Sequence, residues 1–197
     1  MTTDPATVLV IEDERQIADG YASVLDDEYD VRIAYSGAEG LEAIDDSVDV
    51  VLLDRMMSGL SGQETLDELR DRGYDVPVAM VTAKIPDFGV LDMGFDDYLT
   101  KPVDVDELFD TVERLLAMGT LDRDVREFVA ASVKQASLEA TKPSVELEEH
   151  DQYRDLRAEL SDRGAELGDV SAAMTDEQFE LVVQTIVRNL QSGPQQQ

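Results

Sequence analysis

Apolar residues in the first part of the chain fall into short runs, each followed by a segment with the spacing of an amphipathic helix. Val50-Val51-Leu52-Leu53 is an unbroken run that ends on one carboxylate, Asp54. Such a run has the pattern of a strand covered on both faces, as in a parallel sheet. Thr7-Val8-Leu9-Val10-Ile11 has the same pattern and runs into Glu12-Asp13-Glu14. Residues 76–82 repeat it, with Pro77 near the start, where a ladder donor can be spared. Residues 29–34 alternate, with Val31 and Ile33 opposed to Arg32, which suits a less buried strand. A short fifth run, Tyr98-Leu99-Thr100, follows a turn at 94–97 and is ended by Lys101-Pro102.

The intervening segments carry helix signals. Ile17, Tyr21 and Val24/Leu25 recur at helical spacing. Ser36 with Glu39, Ser61 with Glu64 and Asp104 with Glu107 each read as a capping box. Leu41 and Ile44, then Leu66 and Leu69, then Leu108, Val112 and Leu115 continue those helices. Residues 84–93 are only weakly helical, because Pro86 and Gly89 leave room for two turns at most. Five βα units predict an α/β domain: a five-stranded parallel sheet with helices on both faces. The expected strand order is 2-1-3-4-5, that of the flavodoxin-like fold.

The second half is all helical in pattern. Val125, Phe128/Val129, Ser132/Val133 and Ala136 predict a first helix, broken at Lys142-Pro143-Ser144. Residues 145–167 carry Leu147, Tyr153, Leu156, Leu160 and Leu167, a narrow stripe near the coiled-coil period. Two helices with a short break predict an antiparallel hairpin with that stripe as its seam. An oligomerisation surface is the alternative use of the stripe. Thr175 with Gln178 caps a last helix carrying Phe179, Val182, Val183, Ile186 and Leu190. The organisation expected is residues 1–119 as one domain, 120–191 as a small helical domain, and 192–197 as a disordered tail.

Charge narrows the function. The 197 residues carry 45 acidic and 16 basic side chains, a net charge of −29. Residues 1–119 hold 29 acidic and 8 basic groups, and the remainder 16 and 8, so neither part is basic. That argues against direct nucleic-acid binding, which needs cations facing phosphates. There is no cysteine, hence no disulfide and no thiolate metal site. No signal peptide and no membrane-length apolar run is visible, which points to the cytoplasm. The single histidine, His150, lies in a Glu-Glu-His-Asp run and is expected to be solvated.

The chemistry gathers at strand ends. The proposed strands one, three, four and five end on Glu12/Asp13, Asp54, Thr82 and Lys101, and the sheet order puts these ends around one crevice. Each residue alone has a plain structural reading: a helix start, a turn cap, a strand-end threonine, a surface lysine. Together they form three mutually repelling carboxylates, one of which would be pushed toward protonation. A hard divalent cation such as Mg²⁺ relieves that repulsion. An ammonium and a hydroxyl add partners for an anion. The set suits a phosphoryl group beside a metal.

These pieces resemble the response-regulator receiver domain: Val8 to Asp13, Val51 to Met57 with Gly62, Met80-Val81-Thr82-Ala83, and Gly94 to Pro102. The resemblance implies a two-component response regulator. Asp54 would accept a phosphoryl group from a sensor histidine kinase. Mg²⁺ would be held by Asp13, Asp54 and the backbone carbonyl of Met56, with Glu12 acting through water. Lys101 would contact the phosphoryl oxygens, Thr82 would hydrogen-bond one of them, and Tyr98 would turn inward as the switch. The only chemistry implied is self-phosphorylation and self-dephosphorylation, not turnover of a separate substrate.

The order of receiver then acidic helical domain resembles the haloarchaeal HalX-type regulators, and scarce lysine resembles proteins of salt-accumulating halophiles. Two departures stand out. Ser58 occupies a position where the family usually has proline, implying a less rigid loop after Asp54. The interval from Thr82 to Tyr98 is short, implying a truncated fourth helix and casting aside the usual dimer face. A homodimer would then use the C-terminal helices, and a transcriptional role would run through protein partners. The rival readings are a Mg²⁺-dependent phosphohydrolase with Asp54 as nucleophile, where Met56 replaces the expected second aspartate, and a scaffold with a silent site.

Overall fold

The computed structural model describes residues 5–170, the side chains of 164–170 excepted. The expected last helix, with Phe179 to Leu190, and the tail 192–197 lie outside the described residues. The chain divides into two compact units, and the division is not at a single point. One unit comprises the chain up to Lys84 together with Met93–Gly119; the other comprises Ile85–Asp92 together with the chain from Thr120.

The first unit alternates strand and helix: β1 (Thr7–Ile11), α1 (Arg15–Leu25), β2 (Asp30–Ala34), α2 (Gly37–Ala43), β3 (Val50–Leu53), α3 (Gly62–Asp71), β4 (Val78–Thr82), β5 (Asp97–Thr100) and α4 (Val105–Met118). The sheet is parallel throughout, in the order β2-β1-β3-β4-β5. Every residue of β1, β3 and β4 is buried, as their unbroken apolar runs require, whereas most of the alternating β2 is only half-buried. All three expected caps accept from the backbone N–H three residues on, and one of them is a full reciprocal box. Ser61 and Glu64 form the full reciprocal box. Ser36 accepts from the Glu39 N–H, but the Glu39 carboxylate reaches back one residue further, to the Tyr35 N–H at 2.8 Å. Asp104 accepts from the Glu107 N–H at 2.8 Å.

The second unit holds the truncated crossover, a single 3₁₀ turn at Phe88–Asp92, with α5 (Arg123–Thr141), α6 (Ser144–Glu149) and α7 (Asp151–Val170). Helices α5 and α7 run antiparallel: Tyr153 donates to Glu139 at 2.6 Å near one end, and Arg163 reaches Glu127 at 3.4 Å near the other. Val125, Val129, Val133 and Ala136 of α5 are buried, as are Leu147 of α6 and Tyr153 and Leu160 of α7; Leu156 is half-buried, and the Leu167 side chain lies outside the described residues.

The single helix expected over 145–167 is two helices. His150 is extended (φ −88°, ψ 115°) and separates them. Its carbonyl accepts from the Arg154 N–H at 3.1 Å, opening α7. Its ring stacks on Phe88, centroids 3.7 Å apart and nearly parallel, so it is not the solvated side chain its acidic neighbours suggested. The Lys142 ammonium lies 5.4 Å from the other ring of that pair, Phe88, within cation–π range. Among the described residues no helix is long and apolar enough to cross a membrane.

Candidate functional site

Backbone bonds just beyond the strands carry the ladder into the site. The Glu12 N–H donates to the Ala34 carbonyl, the Asp54 N–H to Ile11, and the Lys101 N–H to Thr82, at 2.9–3.0 Å. Three residues from three strand ends are thereby held at the same edge of the sheet, where ligands of open α/β sheets bind. Gly62 closes the loop after β3 against it: a Cβ there would lie 2.1 Å from the Asp54 carbonyl oxygen, so only glycine fits without displacing backbone. The Lys101–Pro102 peptide bond is cis.

Four of the expected site residues converge. Carboxylate oxygens of Glu12, Asp13 and Asp54 lie within 4.8 Å of one another. Lys101 Nζ lies 2.5 Å from Glu12 Oε2 and 3.3 Å from Asp54 Oδ2. Glu12 and Asp54 are buried, and Asp13 is half-buried. Asp54 Oδ1 accepts from the Met56 N–H at 3.2 Å. Burial pushes the Glu12 carboxyl up from its ordinary range, and the charge of Asp54 adds to that, against the bond from Lys101. Burial works to lower the Lys101 ammonium, but its bond to Glu12 and the charge of Asp54 outweigh that and hold it above the usual lysine range.

Thr82 and Tyr98 meet at a second point, on neighbouring strands. Thr82 is fully buried, and its hydroxyl accepts from the Lys84 N–H at 3.3 Å. The Tyr98 ring is buried, and its hydroxyl donates to the Lys84 carbonyl at 2.6 Å. One peptide segment therefore carries contacts from both.

Sequence reasoning missed two neighbours. Ser58 donates to Asp13 Oδ2 from its N–H (2.8 Å) and its hydroxyl (3.1 Å). The loop after Asp54 is thereby tethered to Asp13. Tyr21 on α1 has its hydroxyl pushed up by burial, within reach of the charges of Lys101, Glu12 and Asp54. The departure at Ser58 was the one available signal; Tyr21 read only as a core position.

Residues 8–113 match the response regulator receiver domain, more than half of the chain. The chain belongs to the response-regulator receiver family. Residues 117–183 match the HalX domain. Among relatives, a putative transcriptional regulator from Haloferax volcanii is 44% identical over 154 residues, covering 78% of this chain and 26% of its own length. The transcriptional regulatory protein YkoG of Bacillus subtilis, itself uncharacterised, is 34% identical over 182 residues, covering 89% of this chain and 70% of its own. The chain spans only about a quarter of the length of the first of these. Among solved structures, the response regulator TrrA from Thermotoga maritima, in complex with Mg²⁺-BeF, is 31% identical with a TM-score of 0.50, covering 56% of this receiver chain and 98% of TrrA.

Proposed function

We propose that Asp54 is the phosphoacceptor of a two-component relay. The observation that carries this is the buried Asp54 carboxylate sharing one crevice with Glu12 and Asp13, its oxygen 3.3 Å from the Lys101 ammonium. An Asp54 carboxylate oxygen attacks the phosphorus of a phosphohistidine on a sensor kinase. The P–N bond breaks, its electron pair goes to the imidazole nitrogen, and an acyl phosphate remains on Asp54. Such transfer needs in-line placement and charge neutralisation rather than a strong base.

Lys101 meets the phosphoryl oxygens as a point charge, and the Thr82 hydroxyl donates to one of them. The three carboxylates offer hard oxygen donors within the span of one small cation, which fits Mg²⁺. Asp13, Asp54 and the Met56 carbonyl would hold it, with Glu12 acting through water; the TrrA complex with Mg²⁺-BeF supports this assignment. When bound, Mg²⁺ supplies positive charge to the phosphoryl oxygens. Thr82 drawn toward the phosphoryl group gives up its Lys84 contact, and Tyr98 responds as the switch.

The receiver then spans 1–119, and 120–191 is the output module. The chain acts as a cytoplasmic signalling protein whose only turnover is its own phosphorylation and dephosphorylation. A homodimer through the helical module would use faces other than the α5–α7 seam. The net charge of −29 supports output through protein partners rather than direct contact with nucleic acid.

Incubation of the full chain with Mg²⁺ and acetyl phosphate, read by intact mass, tests the assignment. One added phosphoryl group is expected, and none in Asp54→Asn. Rapid phosphate release with no mass gain accumulating on the chain would point to a phosphohydrolase, and an unchanged mass without phosphate release to a silent scaffold.

A further inference from the structure

The site's carboxylates are restrained by two different kinds of partner. Glu12 and Asp54 are tied to a cation, Lys101. Asp13 is instead met by neutral donors, the N–H and the hydroxyl of Ser58, both on the same oxygen, Oδ2. Ser58 lies 45 residues away in sequence, on the loop that also sends the Met56 N–H to Asp54 Oδ1. That one loop therefore orients two of the three carboxylates at once. Gly59, with φ 79°, turns the chain directly after Ser58, and Gly62 fixes the loop's far end against Asp54.

We propose that Ser58 is a positioning residue, which holds the Asp13 carboxylate toward Glu12 and Asp54 so that the site is preformed for a divalent cation. Asp13 is the half-buried member of the three and the one with access to solvent. An aspartate has only two side-chain torsions, and repulsion from Glu12 and Asp54 drives it outward when nothing restrains it. Two donors on Oδ2 fix both torsions against that repulsion. Partners that orient a ligand in this way commonly set its affinity without touching the metal. The backbone N–H is the shorter of the two bonds, so a proline at this position would remove the stronger tether along with the hydroxyl.

The inference rests on the Mg²⁺-dependent reading above. Isothermal titration of Mg²⁺ alone into the full chain separates the two. Ser58→Pro, which loses both donors, is expected to weaken Mg²⁺ binding by about 10- to 100-fold. Ser58→Ala, which keeps the N–H, should fall between that variant and the unaltered protein. Ser58→Thr, which keeps both donors, should restore binding to within about twofold. Thermal unfolding in chelator guards against a merely structural effect. The proposal requires that Ser58→Ala lose affinity while keeping its metal-free melting temperature. Equal Mg²⁺ affinity in the unaltered protein, Ser58→Ala and Ser58→Pro overturns the proposal and leaves the site reading intact. So does a loss in Ser58→Ala that Ser58→Thr fails to rescue. Absence of Mg²⁺ binding in the unaltered protein overturns both.

Discussion

Asp97 has no solvent exposure, and its carboxylate is fully engaged. Arg114 approaches Oδ2 at 2.8 Å through Nη2 and at 3.3 Å through Nε, and the Tyr98 N–H donates to Oδ1 at 2.8 Å. Arg114 is buried too and also donates to the Thr111 hydroxyl. A pair this deep adds little over an apolar pair, but removing one partner strands the other charge. Asp97→Ala is therefore expected to cost about 3–5 kcal/mol in urea unfolding of the receiver unit. A loss below about 1 kcal/mol, the level of an exposed pair, would refute it. Nothing in the sequence marked Asp97 as internal. It sat in a turn-like Gly-Phe-Asp-Asp run, and its partner is 17 residues on, in a helix. Glu12, Asp13, Asp54, Thr82 and Lys101 were legible because a buried strand announces its own end, and the fold class then gathers those ends. Ser58 was not, because half of its tether is a backbone N–H, which every residue but proline owns.

At the scale of elements, the sheet was readable because full burial writes unbroken apolar runs. The apolar period carries helix α7 back across the break at His150, because Leu147, Tyr153, Leu156 and Leu160 keep nearly the same spacing. Periodicity records which face is buried and is blind to one extended residue held by a stacked ring. The α5–α7 hairpin carries its own pH signature. Tyr153 is 3% exposed, and burial together with its bond to Glu139 pushes its hydroxyl up to about 12. The neutral form is the one the fold favours. Its contribution is complete below pH 10, the unfolded value, and is lost as pH rises through about 12. Between those limits the helical unit is expected to lose about 2–3 kcal/mol that Tyr153→Phe does not lose, measured by circular dichroism against pH. Parallel alkaline profiles for the two proteins would contradict this.

The whole molecule is organised by a division that no local pattern foretold. Pro86 and Gly89 announced a short fourth helix, but not that Ile85–Asp92 would fold with the helical unit. There Phe88 stacks on His150, the Thr141 hydroxyl reaches the Pro86 carbonyl at 3.3 Å, and Gln152 reaches Asp92 at 3.1 Å. A fragment ending at Gly119 is expected to show faster amide exchange at 85–92 than the full chain, by at least about tenfold, because those partners are gone. Unchanged protection would disprove the interleaving. The practical corollary concerns anyone who would splice this protein. No single scission yields both halves whole: a graft that carries the helices alone leaves one of their turns behind in the donor sheet. Transplanting the output to another receiver thus means moving two separate pieces of chain together.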